Sequence, residues 1–423
     1  MTTIPHDPLP DSTLALLREG YLFIPRRCEA LGTDIFEARL MLRRAFCVRG
    51  PEAAAMFYHP GRMTRRGAMP PTTVRLLQDL GSVQMLDGEA HRQRKAMFLR
   101  MMAPDLLRRL LAIAEEAWRR RFAAWGRRDR VVLFDEAQET MGEVALAWAG
   151  LSLDAQGRRR RTQEAAAMID AAGSASPRVV RALLLRERSE RWAREMIERV
   201  RRGELAPPPG SATQVIASHR EPDGALLSPH VAAVELLNIG RPLVAVARFI
   251  TFAALALHTS PASRELVASG TDETRAWFVH EVRRHYPFFP FIGGRAREPF
   301  AWRGHAFPRG AWFVLDIYGT NHDERSWTDP WTFQPERFRA WNGDPNTLIP
   351  QGGGRIEDGH RCAGEWATIA LMTQAARLLA TEIAYDVPPQ DLEIPLRTMP
   401  TLPRSGLVIS NVRPATGRAR GAA

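Results

Sequence analysis

One stretch of this chain restricts its possible folds more than any other. From Ser228 to about His258, the positions Val231, Val234, Leu236, Leu237, Val244, Val246, Phe249 and Phe252 leave no polar face wide enough for a surface helix. Ser228 suits an N-cap and Pro229 suits a first helical turn, so the spacing predicts a helix that starts there. A helix that is apolar on most sides has to be covered by others. Its middle carries an anomaly, Arg241 followed by Pro242. A proline inside a helix costs about 3 kcal/mol and is expected to kink it. The pair could mark a helix boundary, but the apolar pattern continues on both sides. A buried arginine needs an anion, and its planar fork suits a carboxylate.

The remaining periodicity is also mostly helical. Pro104 begins a stripe of Leu107, Leu110, Leu111, Ala114, Trp118, Phe122 and Trp125 that stops at Gly126. Strand character is confined to short pieces, mainly 301–307 and 311–315 around Pro308, Arg309 and Gly310, which together read as a hairpin. No internal repeat or long linker interrupts the chain; the only breaks are a Pro/Gly-rich stretch at 206–210 and a basic tail at 413–423. The expected fold is mainly α with a minor β part. A length of 423 residues alone suggests two or three domains, but a large cofactor at the centre would let residues 1–423 form a single domain with a flexible tail from about 413.

The formal charge of +11 raises the question of nucleic acid, yet the arginines are spread along helices with acids between them, as at 108–116 and 186–194. Solvated helix faces explain that pattern, and no nucleic-acid partner is expected. Three cysteines, Cys28, Cys47 and Cys362, argue by their odd number and wide spacing against a disulfide framework and against a paired-cysteine zinc site. A reducing, cytoplasmic location is the expectation. Residues 1–10 are polar and proline-rich without a basic segment leading into an apolar run, so neither a signal peptide nor a membrane anchor is expected. Lys95 is the one lysine of the chain.

Near the C-terminus, Ile349-Pro350-Gln351-Gly352-Gly353-Gly354 precedes Gly359-His360-Arg361-Cys362-Ala363-Gly364-Glu365, and an apolar helical run follows from Trp366. A glycine-containing turn into a helix N-terminus offers N–H groups and the positive dipole end, which is what a thiolate needs. A cysteine so placed is by itself most often a core residue. Upstream, Glu281 and Arg284 are three apart and share a helix face, and Gln334-Pro335-Glu336-Arg337-Phe338 lies between them and the cysteine. In this order and at these spacings the segments resemble the cytochrome P450 pattern. Glu281, Arg284 and Arg337 match its buried Glu–Arg–Arg triad, and Cys362 matches the thiolate ligand of heme b.

The resemblance runs from roughly residue 20 to residue 412 and is strongest to one branch, the bacterial fatty-acid peroxygenases, in Glu281-Val282-Arg283-Arg284-His285-Tyr286-Pro287-Phe288, Tyr318-Gly319-Thr320-Asn321-His322-Asp323 and 349–354. In the wider superfamily, a Phe and a Gly stand at fixed short distances before the cysteine, with a basic residue two before it. Here 355–358 push the glycines upstream and His360 takes the basic place, an insertion similar to that of the peroxygenase branch.

The resemblance implies a heme buried between the long central helix and the Cys362 loop. It places His91 and Lys95, four apart on one helix face, against a heme propionate, with Arg65 as a third partner. It also puts Arg241 and Pro242 where ordinary members carry an acid–alcohol pair for proton delivery. Neither residue can relay protons. In the branch, a substrate carboxylate held by that arginine takes over the acid–base work, so the implied reaction is hydroxylation of a fatty acid at the alpha or beta carbon with hydrogen peroxide and no redox partner. Gln84 matches a position near the distal heme face, where Gln resembles hydroxylating members and His resembles members that decarboxylate to terminal alkenes. Phe288, Phe289 and Phe291 are expected along the acyl channel, and Gln78 stands where related chains usually have Phe. The alternatives are decarboxylation to an alkene, a reductase-dependent O₂ monooxygenase whose basic proximal face docks an acidic ferredoxin, and a non-catalytic heme or fatty-acid binding protein.

Overall fold

A computed structural model describes residues 3–415. The apolar stretch forms one helix, Pro229–Thr259, whose first turn is capped by Ser228: its Oγ accepts the Val231 N–H at 3.2 Å. The helix passes through Pro242 without a break. At 1.5 Å per residue it is about 46 Å long. Helices Leu133–Trp148, Ala155–Ala171, Arg178–Arg201 and Glu365–Thr381 pack around it. Between Ala232 and Leu257 only Gly240 and Pro242 escape burial. The helix is long and apolar enough to cross a membrane, but 83% of its most apolar window is buried inside the fold.

The stripe that starts at Pro104 is the helix Pro104–Trp125, closed by Gly126, and it buries Leu110, Ala114, Trp118, Phe122 and Trp125. The β part is minor, as expected, but it is spread over more strands than the sequence showed. Five strands form a sheet in the spatial order Ile35–Leu40, Arg43–Val48, Trp312–Asp316, Phe291–Ala296 and Met63–Thr64. Arg130–Val132, Val408–Pro414 and Ile383–Asp386 form a second sheet in that order. The expected hairpin is displaced: Phe300–Trp302 pairs with His305–Phe307 across Arg303 and Gly304, both at positive φ. Trp312–Asp316 instead enters the large sheet, antiparallel to Phe291–Ala296 and parallel to Arg43–Val48. Pro308 to Gly310 thus hands the chain from one sheet to another.

The first hairpin gave no turn signal because Met41 and Leu42 occupy its two central positions at φ of 51° and 60°, where Asn-Gly is the usual pair. Side chains compensate: Thr13 Oγ1 accepts the Met41 N–H at 2.5 Å, and Asp11 Oδ2 accepts that of Leu42 at 2.7 Å. The expected tail from about 413 is not free at its start, since Arg413 and Pro414 pair with Ala384 and Ile383; residues 416–423 lie outside the described residues.

Close helix packing generates a first prediction. A Cβ on Gly142 would stand 1.9 Å from Thr162 Oγ1, a hydroxyl already bonded to the Arg158 carbonyl at 3.0 Å. Gly142→Ala should therefore destabilise the protein by about 1–3 kcal/mol, although alanine is the better helix former. Urea unfolding of this variant, and of Gly142→Ala with Thr162→Ala, checks it: the second change should restore stability.

Candidate functional site

The candidate site draws on the central helix and on the Cys362 loop. Three glycines bring that loop in close. A Cβ on Gly353 would meet Ile349 Cγ2 at 2.8 Å and one on Gly354 would meet Tyr58 Cβ at 2.9 Å, while Gly352 needs φ of 96°. The Cys362 N–H donates to the Gln351 carbonyl at 3.0 Å, and the helix Glu365–Thr381 starts directly after the loop. Burial pushes the Cys362 thiol up from its ordinary value; the Gly364 N–H, the charge of Lys95 and Gln351 pull the other way. The residue nevertheless keeps some accessible surface, so the burial acts on the sulfur more than on the residue as a whole.

Glu281, Arg284 and Arg337 come together as expected. The fully buried Glu281 carboxylate accepts Arg284 Nε at 2.6 Å and Nη2 at 2.8 Å, the Gln334 N–H at 2.8 Å and Arg337 Nε at 3.2 Å. The guanidinium groups use their remaining donors on backbone: Arg284 on the carbonyls of Asn321, Pro330 and Thr332, and Arg337 on those of Thr328, Asp329 and Thr332. Asn321 Oδ1 in turn accepts the Ile349 N–H at 2.8 Å, which joins the triad to the glycine loop. A second buried set, absent from the sequence reading, brackets the cysteine directly. Glu365 accepts Arg361 Nε at 2.5 Å and also pairs with Arg283. The i,i+4 spacing of Arg361 and Glu365 was the available signal.

His91 and Lys95 lie on the helix Gly88–Met101, both buried, and Arg65 is buried nearby. Lys95 donates to the carbonyls of Gly359 and Arg361, the latter at 2.6 Å; the His91 ring lies 4.2 Å from that of His360; Arg65 donates to the Gly293 carbonyl at 3.0 Å. Burial, then the Lys95 charge, lowers His91 to about 4, and burial lowers Lys95 to about 8. Among the described residues none of Arg65, His91 and Lys95 has a carboxylate within ion-pair distance. Buried bases that meet only neutral groups fit the two propionates of a heme, and the accessible Pro242 in an otherwise buried helix fits a wall beside it.

Arg241 is 5% exposed. Its Nη2 donates to the Leu77 carbonyl and to Asn238 Oδ1, the latter at 2.7 Å, while Nη1 is buried without a partner. Burial, with Arg186 close by, pulls this guanidinium far below its ordinary value. Seven arginines are buried among the described residues: Arg65, Arg94, Arg186, Arg241, Arg248, Arg283 and Arg284. Arg94, Arg186, Arg248, Arg283 and Arg284 each pair with a carboxylate. Arg65 and Arg241, both proposed ligand contacts, do not.

Gln84 sits in the short 3₁₀ turn Val83–Met85, and its Oε1 accepts Asn238 Nδ2 at 3.3 Å. Asn238 thus joins Gln84 to Arg241. Phe288 stacks on Phe249 of the central helix at 4.2 Å and packs with Ile169, Val244 and Ala245, one turn beyond Arg241. Phe289 packs with the large sheet's core, and Phe291 opens a strand of that sheet, so of the three phenylalanines Phe288 is the one brought beside the central helix. Gln78 ends the helix Pro71–Leu77 with its Oε1 buried and unpartnered. A cavity of about 50 Å³ borders Arg241 and Val244, but neither Gln84 nor Cys362 lines it, and it is too small for an acyl chain.

The triad supplies the second prediction. Glu281→Gln leaves two guanidinium groups without a counter-charge and should cost about 3–5 kcal/mol. The measurable outcome is a lower unfolding midpoint together with loss of heme on purification.

The family profile described as Cytochrome P450 matches residues 276–378, and Cys362 is the one cysteine within that span. Solved structures match far more of the chain. Cytochrome P450SP alpha (CYP152B1) in complex with (R)-ibuprophen is 47% identical with a TM-score of 0.93, covering 96% of this chain and 99% of that one. Cytochrome P450EX alpha (CYP152N1) with myristic acid is 39% identical with a TM-score of 0.95, covering 98% and 100%. A variant of cytochrome P450 OleT in complex with arachidonic acid is 35% identical with a TM-score of 0.95, covering 99% and 100%. Among curated proteins, the Sarpagan bridge enzyme of Gelsemium sempervirens is 31% identical over 112 residues, 25% of this chain and 21% of that protein. Rhazimal synthase of Alstonia scholaris is 30% identical over 142 residues, 30% of this chain and 27% of that protein. The chain therefore spans about a quarter or less of these curated relatives.

Proposed function

The chain belongs to the cytochrome P450 family, in the branch of the CYP152 proteins, and we propose that it hydroxylates fatty acids at the alpha or beta carbon with hydrogen peroxide. The observation that carries this is the Arg241 guanidinium, buried, without a carboxylate of its own and with Nη1 unpartnered. Heme with a cysteine thiolate ligand is the family's cofactor; when bound, it supplies the oxidising chemistry, and the thiolate's electron donation favours O–O cleavage. Cys362 is the ligand in this proposal. Arg65 and Lys95 neutralise the propionates, and the neutral His91 offers them a hydrogen bond. The Glu281 and Glu365 networks hold the cysteine loop against the helix Asp272–His285.

Arg241 binds the substrate's carboxylate through Nη1. It holds that carboxylate where it can take a proton from hydrogen peroxide and return it to the departing oxygen, a task Pro242 cannot perform. Fatty acid and peroxide then yield hydroxy acid and water. Gln84 is neutral and cannot serve as the acid, which fits hydroxylation rather than loss of carbon dioxide. Phe288 packs beside the start of the acyl chain and so influences which carbon is presented. The ligands named in the three similar structures all carry a carboxyl group, as this anchoring requires. No redox partner is needed, and a cytoplasmic location belongs to the same proposal.

The test is turnover of a mixed fatty-acid pool by the heme-loaded protein with hydrogen peroxide and no reductase. 2- and 3-hydroxy acids should form, and terminal alkenes should be minor. Arg241→Ala should keep its heme and lose at least about 100-fold in kcat/KM. No hydroxy acid from the wild-type protein would contradict the proposal and favour a reductase-dependent enzyme.

A further inference from the structure

Glu235, Asn238 and Arg241 stand at i, i+3 and i+6 on the central helix, each beside the next, so a single amide stands between a carboxylate and a guanidinium. Both end groups are buried, Glu235 completely and Arg241 to within 5%. A buried charge gains from a partner, and two long side chains could still meet past that amide. Here they do not. Asn238 Nδ2 donates to Glu235 Oε2 at 3.0 Å, and Asn238 Oδ1 accepts Arg241 Nη2 at 2.7 Å. The two faces of the amide thus satisfy the carboxylate and the guanidinium separately.

The carboxylate's charge goes elsewhere. Glu235 Oε1 accepts Arg94 Nη1 at 2.9 Å and the Val83 N–H at 2.8 Å. Val83 immediately precedes Gln84, whose Oε1 takes the remaining contact of Asn238 Nδ2 at 3.3 Å. One amide therefore orients Gln84 and Arg241 together, and one carboxylate fixes the turn that carries Gln84.

We infer that Asn238 is a positioning residue, a neutral spacer that keeps the direct ion pair of Glu235 on Arg94 and leaves Arg241 without a carboxylate contact of its own, open to an anionic ligand. The inference rests on the proposal that Arg241 anchors a substrate carboxylate. An aspartate at 238 would have the same shape but would put a carboxylate at the Arg241 contact and compete with the ligand.

The experiment compares binding of a fatty acid with binding of the primary alcohol of the same chain length, by calorimetry on the heme-loaded protein without peroxide. Asn238→Asp should weaken the acid by about tenfold or more and leave the alcohol unchanged. The exchange Glu235→Gln with Asn238→Asp conserves charge and shape and moves the carboxylate one turn along the helix. It keeps the test available if the single variant does not fold, and it should show the same selective loss. Glu235→Gln alone should leave the preference for acid over alcohol intact. Equal loss of acid and alcohol, or unchanged acid binding in the exchange variant, would overturn the spacer role. Binding is read without turnover, so a protein that shows the selective loss yet forms no hydroxy acid contradicts only the peroxygenase proposal.

Discussion

A guanidinium held inside a protein without a carboxylate is expensive, and the middle of this fold is organised around one. Arg241 lies in a helix whose residues from Leu243 to Leu257 are all buried. Its proline neighbour, its asparagine partner and the helix end at Leu77 each meet it with neutral groups. Five of the other six buried arginines have a carboxylate. Leaving a charge unpaired costs stability that a small change of sequence could recover, so its persistence needs a ligand that supplies the anion.

The rest of the interior shows what paired charge does. Glu281 receives four N–H groups from Arg284, Arg337 and the backbone, and the two guanidinium groups then bond the chain between Thr328 and Thr332. Glu365 with Arg283 and Arg361 does the same immediately beside Cys362. These charge-paired networks give rigidity around the cysteine. Arg65, His91 and Lys95 form the opposite case, a set of buried bases bonded only to carbonyls or a ring, which suits the acidic side chains of a heme. Satisfied and unsatisfied charge therefore mark different jobs, framework in the first case and ligand contact in the second.

The main helices were legible because period and caps agree: Ser228 caps the central helix and Gly126 closes the one that begins at Pro104. The large sheet was not, because its strands are short and distant in sequence, and because the Met41–Leu42 turn depends on Thr13 and Asp11 rather than on turn residues. Cys362, Glu281, Arg284 and Arg337 were found through their resemblance to a family pattern, without which each is an ordinary core or surface residue; Arg241 stands out as a charge in an apolar helix, and the resemblance gave it a role. Glu235 and Asn238 were missed even though they precede Arg241 at helical spacing. Their meaning lies in a contact with Gln84 from a distant turn, which no local pattern announces.

The most direct measurement is a crystal structure of the heme-loaded protein with a bound fatty acid. The account predicts a carboxylate oxygen within hydrogen-bond distance of Arg241 Nη1, with the contact from Nη2 to Asn238 retained. A carboxylate directed to solvent or bound by another cation, with Arg241 bonded only to Leu77 and Asn238, would contradict it.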